Sequence, residues 1–232
     1  MQSPESRTRS GVLPGRLAWA LATRIFCLLV VLNPKSGPAQ TADQVIFNEV
    51  MWMGSFASYA DEWIELRNTT DQTVDLRDWS ITRLSNGQEV IMCAIEDGII
   101  PPGGLFLIAN FDPEDERSHL AVTPDLVTTT VTLANERLQL KLYAPPWSTF
   151  AGPIDVADDG VGAPAHGDNT RKCSMVRRSP VQDGALASSW YTASTRSGWD
   201  PGTTELGTPG MDNDSGDTAV PVTSWGQIKT AR

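Results

Sequence analysis

The chain has 232 residues, 40% of them hydrophobic, and a net charge of −10 from 18 basic and 28 acidic side chains. That length accommodates one domain of ordinary size with appendages, and the hydrophobic content is enough for a real core. A surface this acidic repels phosphate backbones, which excludes general nucleic-acid binding.

The first forty residues differ in kind from the rest. Arg7, Arg9 and Arg16 precede and flank an apolar run from Leu17 to Leu32, which Pro34, Gly37 and Pro38 then break. This is the order of a secretory signal peptide over residues 1–39, with the small residues Gly37 and Ala39 placed for cleavage after Ala39. Arg24 leaves only Ile25 to Leu32 uninterrupted, far short of the roughly 20 residues that span a bilayer. The expected product is a soluble chain from Gln40, with no permanent membrane span, secreted or held in the cell envelope. It carries 13 basic and 27 acidic side chains, a net charge of −14. Cys27 leaves with the leader, so Cys93 and Cys173 remain. An even pair in an exported chain is a disulfide candidate, although spacing does not show that the sulfurs meet.

From Gln44 onward apolar residues alternate or cluster in short runs bounded by Gly, Pro, Asn and Asp, and helical spacing is never sustained. Predicted strands cover residues 45–50, 62–67, 79–82, 89–93, 105–109, 128–133, 138–143 and 173–176. The turns between them carry Asn68-Thr69-Thr70-Asp71, Ser85-Asn86-Gly87, Pro101-Pro102-Gly103-Gly104 and Ala134-Asn135-Glu136, all suited to tight geometry. Residues 112–120, opened by Pro113 and three acids, read either as a short helical turn or as a solvated loop. A loop follows Asp155. The domain is expected over 43–213, and 214–232 as a flexible acidic linker and tail in which Trp225 and Ile228 form a docking peptide or a frayed end. Eight short strands indicate an all-β antiparallel sandwich with long loops.

Several strings also resemble one family. Val45-Ile46-Phe47-Asn48-Glu49-Val50 followed by Asp61-Glu62-Trp63-Ile64-Glu65-Leu66-Arg67-Asn68 is similar to the opening of bacterial, exported lamin-tail domains. Val74-Asp75-Leu76-Arg77-Asp78-Trp79-Ser80-Ile81 and Ile100-Pro101-Pro102-Gly103-Gly104-Leu105-Phe106-Leu107-Ile108 resemble its next two signatures, and Gly207-Thr208-Pro209-Gly210-Met211-Asp212-Asn213 its usual ending. The resemblance implies an immunoglobulin-like β-sandwich over about residues 45 to 213. It departs from the pattern in a long acidic excursion after Phe111 and a long insertion between Asp155 and Cys173. The chain lacks a coiled-coil rod, so filament assembly is not carried over. In bacteria such domains look like adhesion or targeting modules.

Strand alternation puts Trp63 and Glu65 on one face and Glu62, Ile64 and Leu66 on the other, so a carboxylate must lie among apolar neighbours. Two readings stay open. Glu49, Glu62 and Glu65, with Asp61, could form an oxygen-rich pocket for a hard cation such as calcium. Alternatively these carboxylates accept backbone hydrogen bonds, or pair with Arg67 or Arg77, and fix strand register and a corner. A second acidic string from Asp212 to Asp217 opens like a calcium loop, but its fifth position is Gly216 and its twelfth Thr223, so it reads as linker. Loop aromatics Trp52, Tyr59, Trp147 and Trp199 are candidate stacking surfaces for a ligand, whereas Trp63, Trp79 and Trp190 read as core.

The catalytic inventory is thin. His119 and His166 are the only histidines, and there is no His-rich metal spacing, no Gly-x-Ser-x-Gly elbow and no phosphate-cradling loop. The sequence therefore points to an exported binding or anchoring module at the cell surface, engaging a cell-surface protein or polysaccharide and needing no cofactor unless calcium binds. The alternatives are a metal-dependent hydrolase built on the glutamates and a purely structural surface protein.

Overall fold

The computed structural model describes residues 44–147 and 152–213. The leader expected over 1–39 and the tail expected over 214–232 lie outside the described residues. Twelve strands follow one another: β1 Val45–Met51, β2 Trp63–Asn68, β3 Val74–Asp75, β4 Trp79–Ser85, β5 Gln88–Ile95, β6 Ile99–Ile100, β7 Leu105–Ala109, β8 Leu126–Val127, β9 Leu140–Tyr143, β10 Asp155–Ala157, β11 Met175–Arg177 and β12 Trp190–Thr192. One sheet runs β12-β11-β1-β2-β7-β8, a second β10-β9-β4-β5, and β3 pairs β6 as a short third ribbon. All pairs are antiparallel except β7 with β8. This is the immunoglobulin-like β-sandwich with long loops that the sequence indicates.

Phe47, Val50, Ile64 and Leu66 of the first sheet share one hydrophobic core with Trp79, Ile81, Leu140 and Leu142 of the second. Trp63, Trp79 and Trp190 are all essentially fully buried, as read from their strand settings.

The structure corrects several elements. Residues 128–133 form no strand: the Val131 amide turns back onto the Thr128 carbonyl, and Val131 and Leu133 plug the core from a loop. The ladder position goes instead to Leu126–Val127. Residues 112–117 are turns, with Asp112 and Asp115 carboxylates accepting the Glu114 and Arg117 amides at 3.0 and 2.9 Å, so this stretch is loop and not a helical turn, while Ser118 and Leu120 at its end are buried. β3, β6, β10 and β12 went unanticipated because two or three residues are too few to show alternation.

A single irregularity in the first sheet determines where its acids point. The β1–β2 register pairs Phe47 with Leu66, then Glu49 with Glu65, the intervening Asn48 being the extra residue of a β-bulge. Strict alternation would keep Glu49 on the core face beside Phe47. The bulge reverses the parity, so Val50 returns to the core opposite Ile64 while Glu49 turns to the outer face, opposite Glu65 and beside the Met51–Trp63 pair.

The two sheets are also joined by a buried ion pair. Arg177 of β11 reaches Asp155 of β10 bidentately, at 2.9 and 3.0 Å, and the same carboxylate accepts the Phe47 amide of β1 at 2.8 Å. The guanidinium also lies 5.0 Å from the centre of the Trp190 ring. Removing one partner leaves a buried charge uncompensated, which is the costly case. Asp155→Ala should therefore destabilise the fold by about 3–5 kcal/mol in denaturant unfolding. A loss below about 1 kcal/mol would mean that the pair is incidental.

Candidate functional site

The three glutamates singled out from the sequence do not meet. Glu49 and Glu65 face each other on the outer side of the first sheet, both fully buried. Glu62 lies on the opposite face, where its carboxylate accepts the Leu133 amide at 3.1 Å. Among the described residues no group of three or more His, Cys, Asp or Glu side chains is arranged to hold a metal ion. The calcium pocket is thus replaced by the other reading, carboxylates that hold backbone in place. Arg77 pairs instead with Asp97 at 3.6 Å on the exposed surface.

The partners of Glu49 and Glu65 come from far along the chain. Glu49 accepts the Ser174 hydroxyl, the Thr208 amide at 2.9 Å and the Thr208 hydroxyl at 2.8 Å. Glu65 accepts the Asn48 side-chain amide and the Gly210 amide, each at 2.6 Å. Asn213 closes the arrangement by exchanging side-chain hydrogen bonds with Asn48 at 3.1 Å. The segment from Gly207 to Asn213 is thereby strapped across the outer face of the sheet. Gly207 is required there, since a Cβ would lie 2.6 Å from a Glu49 oxygen and 2.7 Å from the Ser174 hydroxyl. Burial pushes the Glu65 carboxyl well above the usual range, and the facing Glu49 adds to this.

A second polar cluster holds the loop between β1 and β2. Glu205, fully buried, accepts the Phe56 amide at 2.9 Å and lies 2.6 Å from His119 Nδ1. Burial alone would raise its carboxyl, but the Phe56 amide and the His119 ring together hold it below the usual value. Asp61 accepts the His119 amide at 2.9 Å, and Lys172 donates to the Met53 carbonyl at 3.0 Å. Within the loop the Ser55 amide reaches the Ser58 carbonyl at 2.9 Å, while the Ser55 hydroxyl accepts the Ala57 amide and that of Ser58 accepts the Ala60 amide, both at 3.1 Å. A rigid turn results, whose tip displays Phe56 and Tyr59, 55% and 86% exposed.

Of the four loop aromatics, two are core. Trp52 is buried with its indole N–H on the His166 carbonyl at 2.8 Å. Trp199 packs on Trp63 with ring centres 5.9 Å apart and donates to the Gly207 carbonyl at 3.1 Å. Both sit in loops folded back over the sheets, which local sequence does not reveal. Tyr59 and Trp147 are exposed, the latter standing edge-on to Tyr143 at 6.3 Å. Phe56 was missed; three residues before Tyr59 in an uncharged stretch, it was the available signal. His119 and Glu205, 86 positions apart, left none.

Cys93 and Cys173 are free, buried thiols rather than a disulfide. Cys93 sits on β5 in the second sheet, whereas Cys173 bridges to Asp168 and Leu206 just before β11 of the first. Burial raises the Cys93 thiol to about 11 and also raises that of Cys173, so neither is a ready nucleophile.

Residues 38–151 match the family model of the lamin tail domain. No curated protein matches the chain. The match ends before Ser174 and Thr208, yet Glu49 and Glu65 inside it are saturated by donors at 174, 208 and 210.

Melting curves in calcium and in excess chelator should coincide, because among the described residues no three-acid site exists for the native state to bind through. A pH dependence is expected from Glu62, which burial lifts from 4.5 to about 8. Its unfolded counterpart therefore ionises first, and the contribution of Glu62 to stability is fully present below about pH 4.5 and is lost as pH rises towards 8. Glu62→Gln should flatten that fall, which is on the order of 3–5 kcal/mol, in urea titrations across this range. An unchanged slope in the variant would refute the assignment.

Proposed function

We propose that this chain, which carries a lamin tail domain over residues 38–151, is an exported module that binds or anchors at the cell surface through its loops. The observation that carries this reading is the β1–β2 loop, where exposed Phe56 and Tyr59 sit on a base tied down by Glu205, His119, Asp61 and Lys172. Recognition residues concentrate on loops that a rigid scaffold positions, and a preformed loop spends little entropy when it binds. Export is supported by the basic, then apolar, then small-residue order of residues 1–39. The binding partner on this reading belongs to the cell surface and not to nucleic acid, since the processed chain carries a net charge of −14.

Expression of an epitope-tagged chain in a bacterial host tests this directly. The recovered protein should begin at Gln40 and sediment with the envelope fraction, and Phe56→Ser/Tyr59→Ser should release most of it to the soluble fraction at unchanged melting temperature. Recovery of the unprocessed chain in the cytoplasm would refute export. Retention that ignores the double substitution would instead favour a structural surface protein.

A further inference from the structure

Resting on the anchoring reading above, we infer that the tip of the β1–β2 loop, residues 55–60, inserts into the interfacial layer of a zwitterionic lipid bilayer, with Phe56 and Tyr59 as its anchors.

The tip reads Ser55-Phe56-Ala57-Ser58-Tyr59-Ala60, without a charge, in a chain where 20% of residues are charged. Inserting such a segment desolvates no ionised group, and an aromatic with a polar end such as Tyr favours the headgroup level. The main obstacle to irregular backbone entering a bilayer is its unsatisfied polar groups, each costly away from water. Here the donor half of that cost is largely met before contact. The amides of Ser55, Phe56, Ala57, Ser58 and Ala60 are spent on the Ser58 carbonyl, the Glu205 carboxylate and the Ser55 and Ser58 hydroxyls. Gly54, at φ +65, lets the chain close this turn, since a Cβ there would meet the Ser58 and Tyr59 carbonyls at 2.4 Å.

The same bonds argue against the other surface ligands. A sugar-binding platform needs free hydroxyl, amide or carboxylate groups around its stacking ring to read the sugar hydroxyls. Both serine hydroxyls of the tip are already turned inward onto its own amides. A bound peptide needs a groove or an open sheet edge, whereas this tip projects, with Tyr59 86% exposed. The lipid class follows from charge: at −14 the processed chain is repelled by an anionic surface, so a zwitterionic one is the match.

Flotation of the processed chain with phosphatidylcholine vesicles is the test, alongside Phe56→Ser/Tyr59→Ser and the milder Phe56→Leu/Tyr59→Phe, with melting temperature as the folding control. The chain should float, largely independent of salt. The serine variant should partition at least tenfold less, the conservative variant should retain most binding, and phosphatidylglycerol in the vesicles should weaken it. Absence of flotation, or equal flotation of the serine variant, overturns the inference. Pelleting of the wild type, but not the serine variant, with purified cell-wall polysaccharide and no flotation would overturn lipid insertion while leaving the anchoring reading intact. Loop-independent results with both surfaces would sink the two together.

Discussion

Two carboxylates facing each other in a dry interior form the constraint on which much of this molecule depends. Glu49 and Glu65 are opposite one another across β1 and β2, with no solvent contact. A buried carboxylate that lacks donors costs far more than a surface one, so each must be saturated by hydrogen bonds or stay protonated. The donors come from Ser174, Thr208 and Gly210. The polar part of the outer face of the first sheet is therefore closed by a strap, beside apolar contacts such as Trp199 on Trp63, and the last described residues are tied to the first strands.

That arrangement also explains why Glu49, Glu62 and Glu65 do not converge on a shared cation. Metal binding needs several oxygens converging on one vacant point. The oxygens of Glu49 and Glu65 are instead spent on protein donors, and Glu62 faces away from them. Elsewhere the same economy recurs: Asp155 pairs with Arg177 and accepts a strand amide, and Glu205 joins a loop amide to a histidine ring. Each buried acid of this kind crosses between distant parts of the chain. Their common product is rigidity in loops that no regular ladder holds, and the aromatic tip at residues 55–60 is its clearest beneficiary.

How far the sequence could be read depended on distance along the chain. The strands β1, β2, β4, β5 and β7 were legible because five to eight residues show alternation, and Trp63, Trp79 and Trp190 were legible as core from their strand neighbours. The string from Gly207 to Asn213 was recognisable as an ending, though not as the strap that holds the glutamates. Trp52 and Trp199 were misread as surface rings because a loop residue's burial is set by what folds over it. The cysteine pair failed similarly, since an even count says nothing of two thiols placed on different sheets.

Taken alone, the sequence determined the all-β class, the sandwich, the main strands and the resemblance to the lamin tail domain, because hydrophobic periodicity and turn residues act locally. Only the tertiary structure decided the function of the acids. A single bulge at Asn48 turned Glu49 from the core to the outer face, and parity across a bulge is settled by strand pairing and not by composition. The same holds for the Glu205 contact with His119 and for the exposure of Phe56, which arise where distant segments meet. Such juxtapositions have no local sequence signal, because the physical forces that select them operate through space rather than along the chain.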